Sequence, residues 1–451
     1  MSYKTYPEYK NSNNIWAGKI PIHWEIHKIK NLIFFQEGPG LRNWQFTDDG
    51  VRVICVTNIT SNGIDFSNYE KFISEDEYKQ TYSHFTVDQG DLLLSSSGNS
   101  WGKVAEYTDD ETVILNTSTI RINKNPTSDY ELKQPYIKWA LQSEYIREQL
   151  GLMMTGSCQP NFGPTHLAKV SILMPTIKEQ QQIANYLDKK TAKIDETIAK
   201  NERLIELLEE KRTALINQVV TKGLNPDVPM KDSGVEWIGE IPEHWDINNL
   251  NYAASDDNYS FVDGPFGSDL KNEEYVDEGI PIIQLNNIKV GFHDFSNERF
   301  ITEEKYNQLK KHSIKPGHIV IAKMAEPVAR GTIVSDKYEK YTIVADCIKL
   351  ACNNKFSNRY VTYSLNSYIY HEAVQKATGT TRVRINLQEM KKLKLLIPPL
   401  EEQKEISDYL DIKISNINYT ITKIKENINL LDEYKTSLIH HVVTGKIKVS
   451  D

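Results

Sequence analysis

Two kinds of hydrophobic pattern alternate along this chain. In the first, apolar residues come in short β-rich runs broken by Gly, Asn or Pro. "VRVICV", "DLLLSSS" and "TVILNTSTIRI" form one series, and "IPIIQL", "HIVIAK" and "TIVADCIKLAC" form another; such runs predict strands. Short helices are expected at "DYELKQPYIKWALQSEYIREQL" and "NRYVTYSLNSYIYHEAVQKA". In the second pattern, Thr176 and Glu179 form a capping box, and neither Gly nor Pro follows until after Val220, which predicts one long helix. After Pro399 the positions Leu410, Ile414, Ile417, Ile421, Ile424, Ile428, Leu431, Lys435, Leu438 and Val442 alternate steps of four and three. The positions 223 residues earlier are Leu187, Thr191, Ile194, Ile198, Asn201, Ile205, Leu208, Arg212, Leu215 and Val219. A stripe two positions wide in seven indicates a coiled coil; a helix lying on a globular core would carry a wider one.

The same writing occurs twice throughout. "WAGKIPIHWEI" (16–26) recurs as "WIGEIPEHWDI" (237–247), and "FISEDEYKQTYSHFTVDQGDLLL" (72–94) as "FITEEKYNQLKKHSIKPGHIVIA" (300–322). "TGSCQPNF" (155–162) precedes "TGTTRVRI" (378–385) by 223 residues, the same offset as the helices. Offsets that wander in front and settle at 223 indicate edited loops ahead of an unedited helix. The expected fold class is therefore α+β: two globular mixed α/β modules in a pseudo-twofold repeat, separated by two long helices. The boundaries are 1–174 for the first module, 175–222 for its helix, 223–236 for a linker, 237–397 for the second module and 398–451 for its helix. To bury its stripe on the first helix, the second must run back, so an antiparallel pair of about 65 Å with a module at each end is expected. The polar Thr191, Asn201 and Arg212 would fix its register.

Composition changes little. The chain has no apolar stretch long enough for a bilayer, and its polar beginning, "MSYKTYPEYKNSNNIW", lacks a secretory pattern. Cys55, Cys158, Cys347 and Cys352 form no CxxC pair and suit a reduced cytoplasm. The net charge of −8 and the absence of a basic segment mean that any nucleic-acid contact must come from local clusters.

Candidate chemistry is sparse. There is no P-loop, HExxH, GxSxG or zinc pattern, and Pro398-Pro399 lacks the flanking residues of a methyltransferase motif. "DGPFGSDL" (263–270) reads as a turn, and the recurring His23-Trp24 and His244-Trp245 as a structural plug. His440 and His441 are adjacent on a helix and do not face one metal. The duplicated loops are better placed. "TGTTRVRINLQEMKKLK" offers Thr380, Arg382, Arg384 and Asn386, while its counterpart offers Ser157, Gln159 and Asn161. "SSSGNSWGK" offers Ser97, Asn99 and Lys103, facing "AKMAEPVARG" with Lys323 and Arg330. Arg suits guanine edges, Asn and Gln suit adenine, and Lys, Ser and Thr suit phosphates, so one frame carries two readout chemistries. The alternative is that all these are variable solvent loops.

These residues, with "PTIKEQQQIANYLD", "PPLEEQKEISDYLD" and "VDGPFGSDLKNEEYVDEGIPIIQLNNI", resemble the specificity subunit of Type I restriction-modification systems over essentially the whole chain. Two departures are Arg382-Val383-Arg384 in place of Gln-Pro-Asn, and Glu326-Pro327 where such proteins often carry a Gly-containing turn. The resemblance implies a non-catalytic cytoplasmic subunit. Its two modules would be target recognition domains, each reading one half of a bipartite asymmetric site in double-stranded DNA, with the coiled coil setting the spacing. It also implies two adenine methyltransferase subunits as partners, and two restriction subunits. S-adenosylmethionine, ATP and Mg would sit on those partners, with no cofactor or metal on this chain. A stand-alone methyltransferase or nuclease, or a pure protein scaffold, are the competing readings.

Overall fold

Each long β-rich run that the sequence presents as continuous is cut in two by the fold. In the computed structural model, which describes residues 4–60, 63–154, 160–324, 327–379 and 383–449, "TVILNTSTIRI" becomes strand Val113–Leu115 and strand Thr119–Lys124. The two strands belong to different sheets, and Ser118, at φ 62°, lies in the crossing between them. "TIVADCIKLAC" likewise becomes Tyr341–Ile343 and Cys347–Leu350, again in different sheets. Periodicity registers that both halves are β-rich, but not that the chain changes layer between them.

The chain divides into two compact units, residues 1–201 with 425–451, and residues 202–424. In the first unit one sheet has the order Val104–Glu106, Leu92–Ser95, Thr119–Lys124, Ile33–Glu37, all antiparallel. A second sheet has the order Phe72–Ile73, Val51–Ile54, Val113–Leu115, Thr86–Val87, its central pair parallel. In the second unit the corresponding sheets are Phe261–Asp263, Cys347–Leu350, Ile319–Ala322, Gly331–Ile333, and a five-stranded sheet centred on Ile280–Ile283. Helices Gln134–Gln142 and Glu144–Gly151 belong to the first unit, and Asn358–Leu365, Tyr368–Lys376 and Leu387–Lys392 to the second.

Both long helices run unbroken, Ile177–Lys222 and Leu400–Val443. Half of each belongs to each unit. In the second unit, Ile205, Leu208 and Arg212 are the residues of 202–214 in the first helix that are at least partly buried, and Ile414, Ile417, Ile421 and Ile424 those of 412–424 in the second; their neighbours are exposed. Val219 and Val220 share a core with Ile406 and Leu410, while Arg212 donates to Asn418 at 2.8 Å, so these halves run in opposite directions. In the first unit Leu187 shares a core with Leu438 and Val442, and Lys435 pairs with Asp195 at 2.6 Å. Arg212 and Lys435, like Asn418 and Asp195, are 223 residues apart, so the repeat extends to individual side-chain links.

The doubled Glu-Gln pair at each helix start explains why that transition is written twice. Gln180 is buried; its amide nitrogen donates to the Pro175 carbonyl at 3.0 Å and its oxygen accepts from the Lys133 N–H at 2.9 Å. Gln403 does the same with the Pro398 carbonyl and the Ser357 N–H, both at 2.9 Å. Each Gln thus satisfies backbone groups that burial would otherwise strand, and ties the helix start to the helices packed beside it. The neighbouring Glu179 caps its own helix through Thr176 and accepts from His23 and from the indole of the fully buried Trp24. Burial opposes its charge, but the hydrogen bonds from His23, Thr176 and Trp24 outweigh it and hold the carboxyl below its ordinary range. Further along, Asp188 accepts from the Trp139 indole at 2.9 Å, and Asp411, its repeat partner, from Tyr363 and Arg359, both at 2.5 Å.

Candidate nucleic-acid interface

Four segments meet at one edge of each unit, and the same three backbone hydrogen bonds tie them together. In the first unit Gly38 N–H donates to the Thr119 carbonyl, Ser96 N–H to Ser118, and Phe162 N–H to Ser96, at 3.0, 2.9 and 3.1 Å. In the second, Gly264 donates to Cys347, Lys323 to Asp346, and Ile385 to Lys323, at 2.8, 2.8 and 3.0 Å. Isolated β-bridges complete each junction, between Ser97 and Asn161 and between Met324 and Arg384. The layer-crossing segments at Ser118 and Asp346 bring one sheet's strand ends beside the other's. Small residues are needed here: a Cβ on Gly38 would lie 2.2 Å from the Asn116 carbonyl oxygen, and one on Gly264 would lie 1.9 Å from that of Val344.

On this common frame the side chains differ. Where the first unit has Glu37, Ser96, Ser118 and Asn161, the second has Asp263, Lys323, Asp346 and Arg384. Lys323 is buried and pairs with Asp263 at 2.7 Å. Arg384, half exposed, reaches Asp346 at 3.1 Å through one of its guanidinium nitrogens. Asn99 and Asn161 are exposed, and Ser97 is buried, its carbonyl accepting from Ser100.

The remaining candidates from the sequence fall into distinct places. Ser157, Gln159, Thr380 and Arg382 lie outside the described residues. Arg330 does not face outward: its guanidinium donates to the carbonyls of Leu285, Ile288 and Pro327 at 2.9, 2.7 and 3.0 Å, and burial pulls it below the usual arginine value. It staples its own loop. Asn386 caps helix Leu387–Lys392 by accepting from the Glu389 N–H at 2.9 Å. Lys103 is exposed but lines a groove with Asp188, Asp195 and Lys435, beside the helices of the first unit. Asn99, Asn161, Arg384 and Asn386 are thus described candidates both exposed and close to the junctions, and of these Asn386 has its side-chain oxygen engaged in the helix cap. Sequence reading missed Asp346 and Ser118, because nothing in a β-rich run marks the residue at which it changes sheet. Among the described residues no helix is long and apolar enough to cross a membrane, and no three metal-ligating side chains gather.

A sequence written twice, with two α/β units and two long helices, is the arrangement of a DNA specificity subunit, and its relatives among known proteins agree. The chain belongs to the Type I restriction modification DNA specificity domain family, whose model matches residues 21–209 and 267–430. It is 24% identical to the Type I restriction enzyme MjaVIII specificity subunit of Methanocaldococcus jannaschii, over 98% of this chain and 97% of that one. The putative MjaX specificity subunit of the same organism is 26% identical over 98% and 97%. Among solved structures, a chain of a type I R-M system superposes with a TM-score of 0.71 at 15% identity, covering 94% of this chain and 98% of its own. The HsdS subunit from Thermoanaerobacter tengcongensis superposes with a TM-score of 0.52 at 14% identity, covering 95% and 98%. At that identity the superpositions speak for the fold.

Proposed function

We propose that this specificity subunit reads double-stranded DNA with the two four-segment junctions, one half of a bipartite, asymmetric site to each unit. The carrying observation is that three backbone hydrogen bonds recur between equivalent residues while the side chains around them change from Ser and Asn to Lys, Asp and Arg. A conserved frame holding different donors and acceptors suits two readers of different base sequences. Asn99 and Asn161 would serve the first half-site and Arg384 the second, with Ser157, Gln159, Thr380 and Arg382 as further contacts from the adjoining loops. Lys323 acts through its pairing with Asp263, holding the junction.

The two long helices, with stripes two positions wide in seven, set the distance between half-sites as an antiparallel coiled coil. The chain performs no chemistry itself. It positions two adenine methyltransferase subunits, which carry S-adenosylmethionine, and two restriction subunits, which use ATP and Mg, in the cytoplasm. A net charge of −8 suits a reader whose partners supply much of the phosphate contact.

Mapping methylated adenines in the host genome, before and after exchange of residues 1–174 for another family member's module, tests this reading. One half of the methylated motif is expected to change and the other to persist. A change in both halves, or in neither, rejects the modular account.

A further inference from the structure

The segment that the sequence presented as a plain turn, "DGPFGSDL", leaves the second junction at Gly264 and carries an aromatic ring outward. Pro265 and Leu270 anchor its two ends in buried positions, and Asp269 N–H closes a turn on the Phe266 carbonyl at 2.8 Å. Within this short, tied loop Phe266 is 80% exposed. The corresponding connection of the first unit leaves its junction at Gly38. Leu41 and Gln45 are buried, and Arg42 N–H donates to the Gln45 side chain at 2.8 Å, while Trp44 between them is also 80% exposed. Among the described residues these are the two most exposed Phe, Tyr or Trp side chains; the next, Tyr419, reaches 65%.

Singly exposed apolar side chains are ordinary on protein surfaces. Here the two largest aromatic exposures among the described residues fall in the same connection of both units, each on a turn fixed by buried neighbours, and each beginning at a glycine of the proposed reading junction. A rigid, outward aromatic beside base-reading groups suits the apolar surface of DNA, namely thymine methyls and base faces exposed at a deformed step. The two rings occupy different points of their loops: Trp44 sits in the single helical turn Asn43–Gln45, whereas Phe266 precedes the corresponding turn Asn272–Glu274. They would therefore meet different positions of their half-sites, as expected of two readers with different specificities.

We propose that Phe266 and Trp44 are base-contacting residues, Phe266 for the half-site read by the second unit and Trp44 for that read by the first. This rests on the DNA-reading function proposed above and adds a loop to each reading surface. The test uses the complex assembled with its methyltransferase subunits and a duplex carrying the genomically mapped site. Binding is compared with duplexes in which one half-site is scrambled. Phe266→Ala is expected to weaken binding to the intact site about tenfold. It should make no difference on DNA whose second half-site is scrambled, and Trp44→Ala should do the converse. Replacing thymine by uracil in the half-site removes the methyl, and 2-aminopurine reports unstacking, so the two substitutions tell which apolar surface is met. Because both rings are exposed, the thermal midpoint of each variant is expected to match that of the parent, and Phe266→Trp to retain most of the binding. If the parent complex discriminates between intact and scrambled half-sites while Phe266→Ala and Trp44→Ala bind and discriminate as it does, this inference fails and the DNA-reading function stands. An equal loss at both half-sites from either variant also overturns it. If the parent itself does not discriminate, the reading function fails and this inference with it.

Discussion

Trp245 donates its indole N–H to Glu402 at 3.1 Å while its ring is wholly buried. Glu402 lies in the first turn of the second long helix, and His244 contacts the same carboxylate at 2.9 Å. The end of the first long helix reaches the same ring, since a Cβ on Gly223 would sit 3.3 Å from Trp245 Cζ2. One tryptophan therefore joins a helix start, a helix end and the hairpin Met230–Asp232/Glu240–Pro242. Removing the ring should cost about 3–5 kcal/mol. Glu402→Ala, which strands the buried indole N–H, should cost about 1–3 kcal/mol. Denaturant titration of the two variants checks the ranking, and a larger loss for Glu402→Ala than for Trp245→Ala would contradict it.

Lys349 gives the second unit a pH dependence of definite sign. Its Nζ donates to the Ser313 and Lys311 carbonyls at 2.7 and 3.2 Å, and burial pushes its pKa down to about 8. An unfolded lysine titrates near 10.4. Between about 8 and 10.4 the unfolded chain binds more protons, so this residue makes stability rise with pH. Across that window the gain is about 3 kcal/mol at most. The difference in unfolding free energy between the parent and Lys349→Met should therefore shift in favour of the parent from pH 7.5 to pH 9.5. A constant difference would show that the lysine is not depressed.

Gly264→Ala should damage one unit's reading selectively. The added methyl would lie 1.9 Å from the Val344 carbonyl oxygen, so the loop or the crossing segment must move. Overpacking of this kind costs about 1–3 kcal/mol. Methylation assays on sites altered in one half are expected to show lost discrimination at the second half-site alone. Retained discrimination there would separate the glycine from the reading geometry.

Arg384 and Asp346 form a pair whose halves have different uses. Arg384→Ala should lower affinity for the cognate site by about 1–3 kcal/mol and relax one position of the second half-site. Asp346→Asn keeps the shape and releases the guanidinium, so a shifted base preference is expected in place of a general loss. Competition binding against duplexes varied at each position measures both, and unchanged preference in both variants would clear the pair of a reading role.

Seven residues inserted in phase into both long helices would add about 10 Å to a helical ruler. The methylated motif should then keep both half-sites and gain a longer gap. An unchanged gap would mean that the spacing is set elsewhere.

What could be read without coordinates was periodic or written twice. The steps of four and three through Ile414, Ile417 and Ile421 predicted a narrow stripe, and these are the positions in residues 412–421 that are at least partly buried while the rest are exposed. The recurring His-Trp and Glu-Gln pairs marked positions where burial and helix capping impose the same chemistry on both copies, as Trp24 with Glu179 and Trp245 with Glu402 do. The stripe and the helix caps act within a few turns of chain and so leave a period in it, whereas the Trp–Glu contacts are long-range and were visible only because the chain writes both partners twice. The junctions depend on backbone hydrogen bonds such as Gly38 to Thr119 and Gly264 to Cys347, between segments far apart in the chain that no hydrophobic period or repeated motif marks as neighbours. Lys323 and Arg330 look alike in sequence as loop cations, yet one pairs with Asp263 and the other bonds to three carbonyls. Phe266 looked like part of a turn, and only the burial of Pro265 and Leu270 around it left the ring facing outward. The sequence by itself determined the repeat, the helices and their stripe, because these follow from spacing. The tertiary structure alone decided which polar side chains became part of the frame and which remained exposed, because that depends on which neighbours desolvate them.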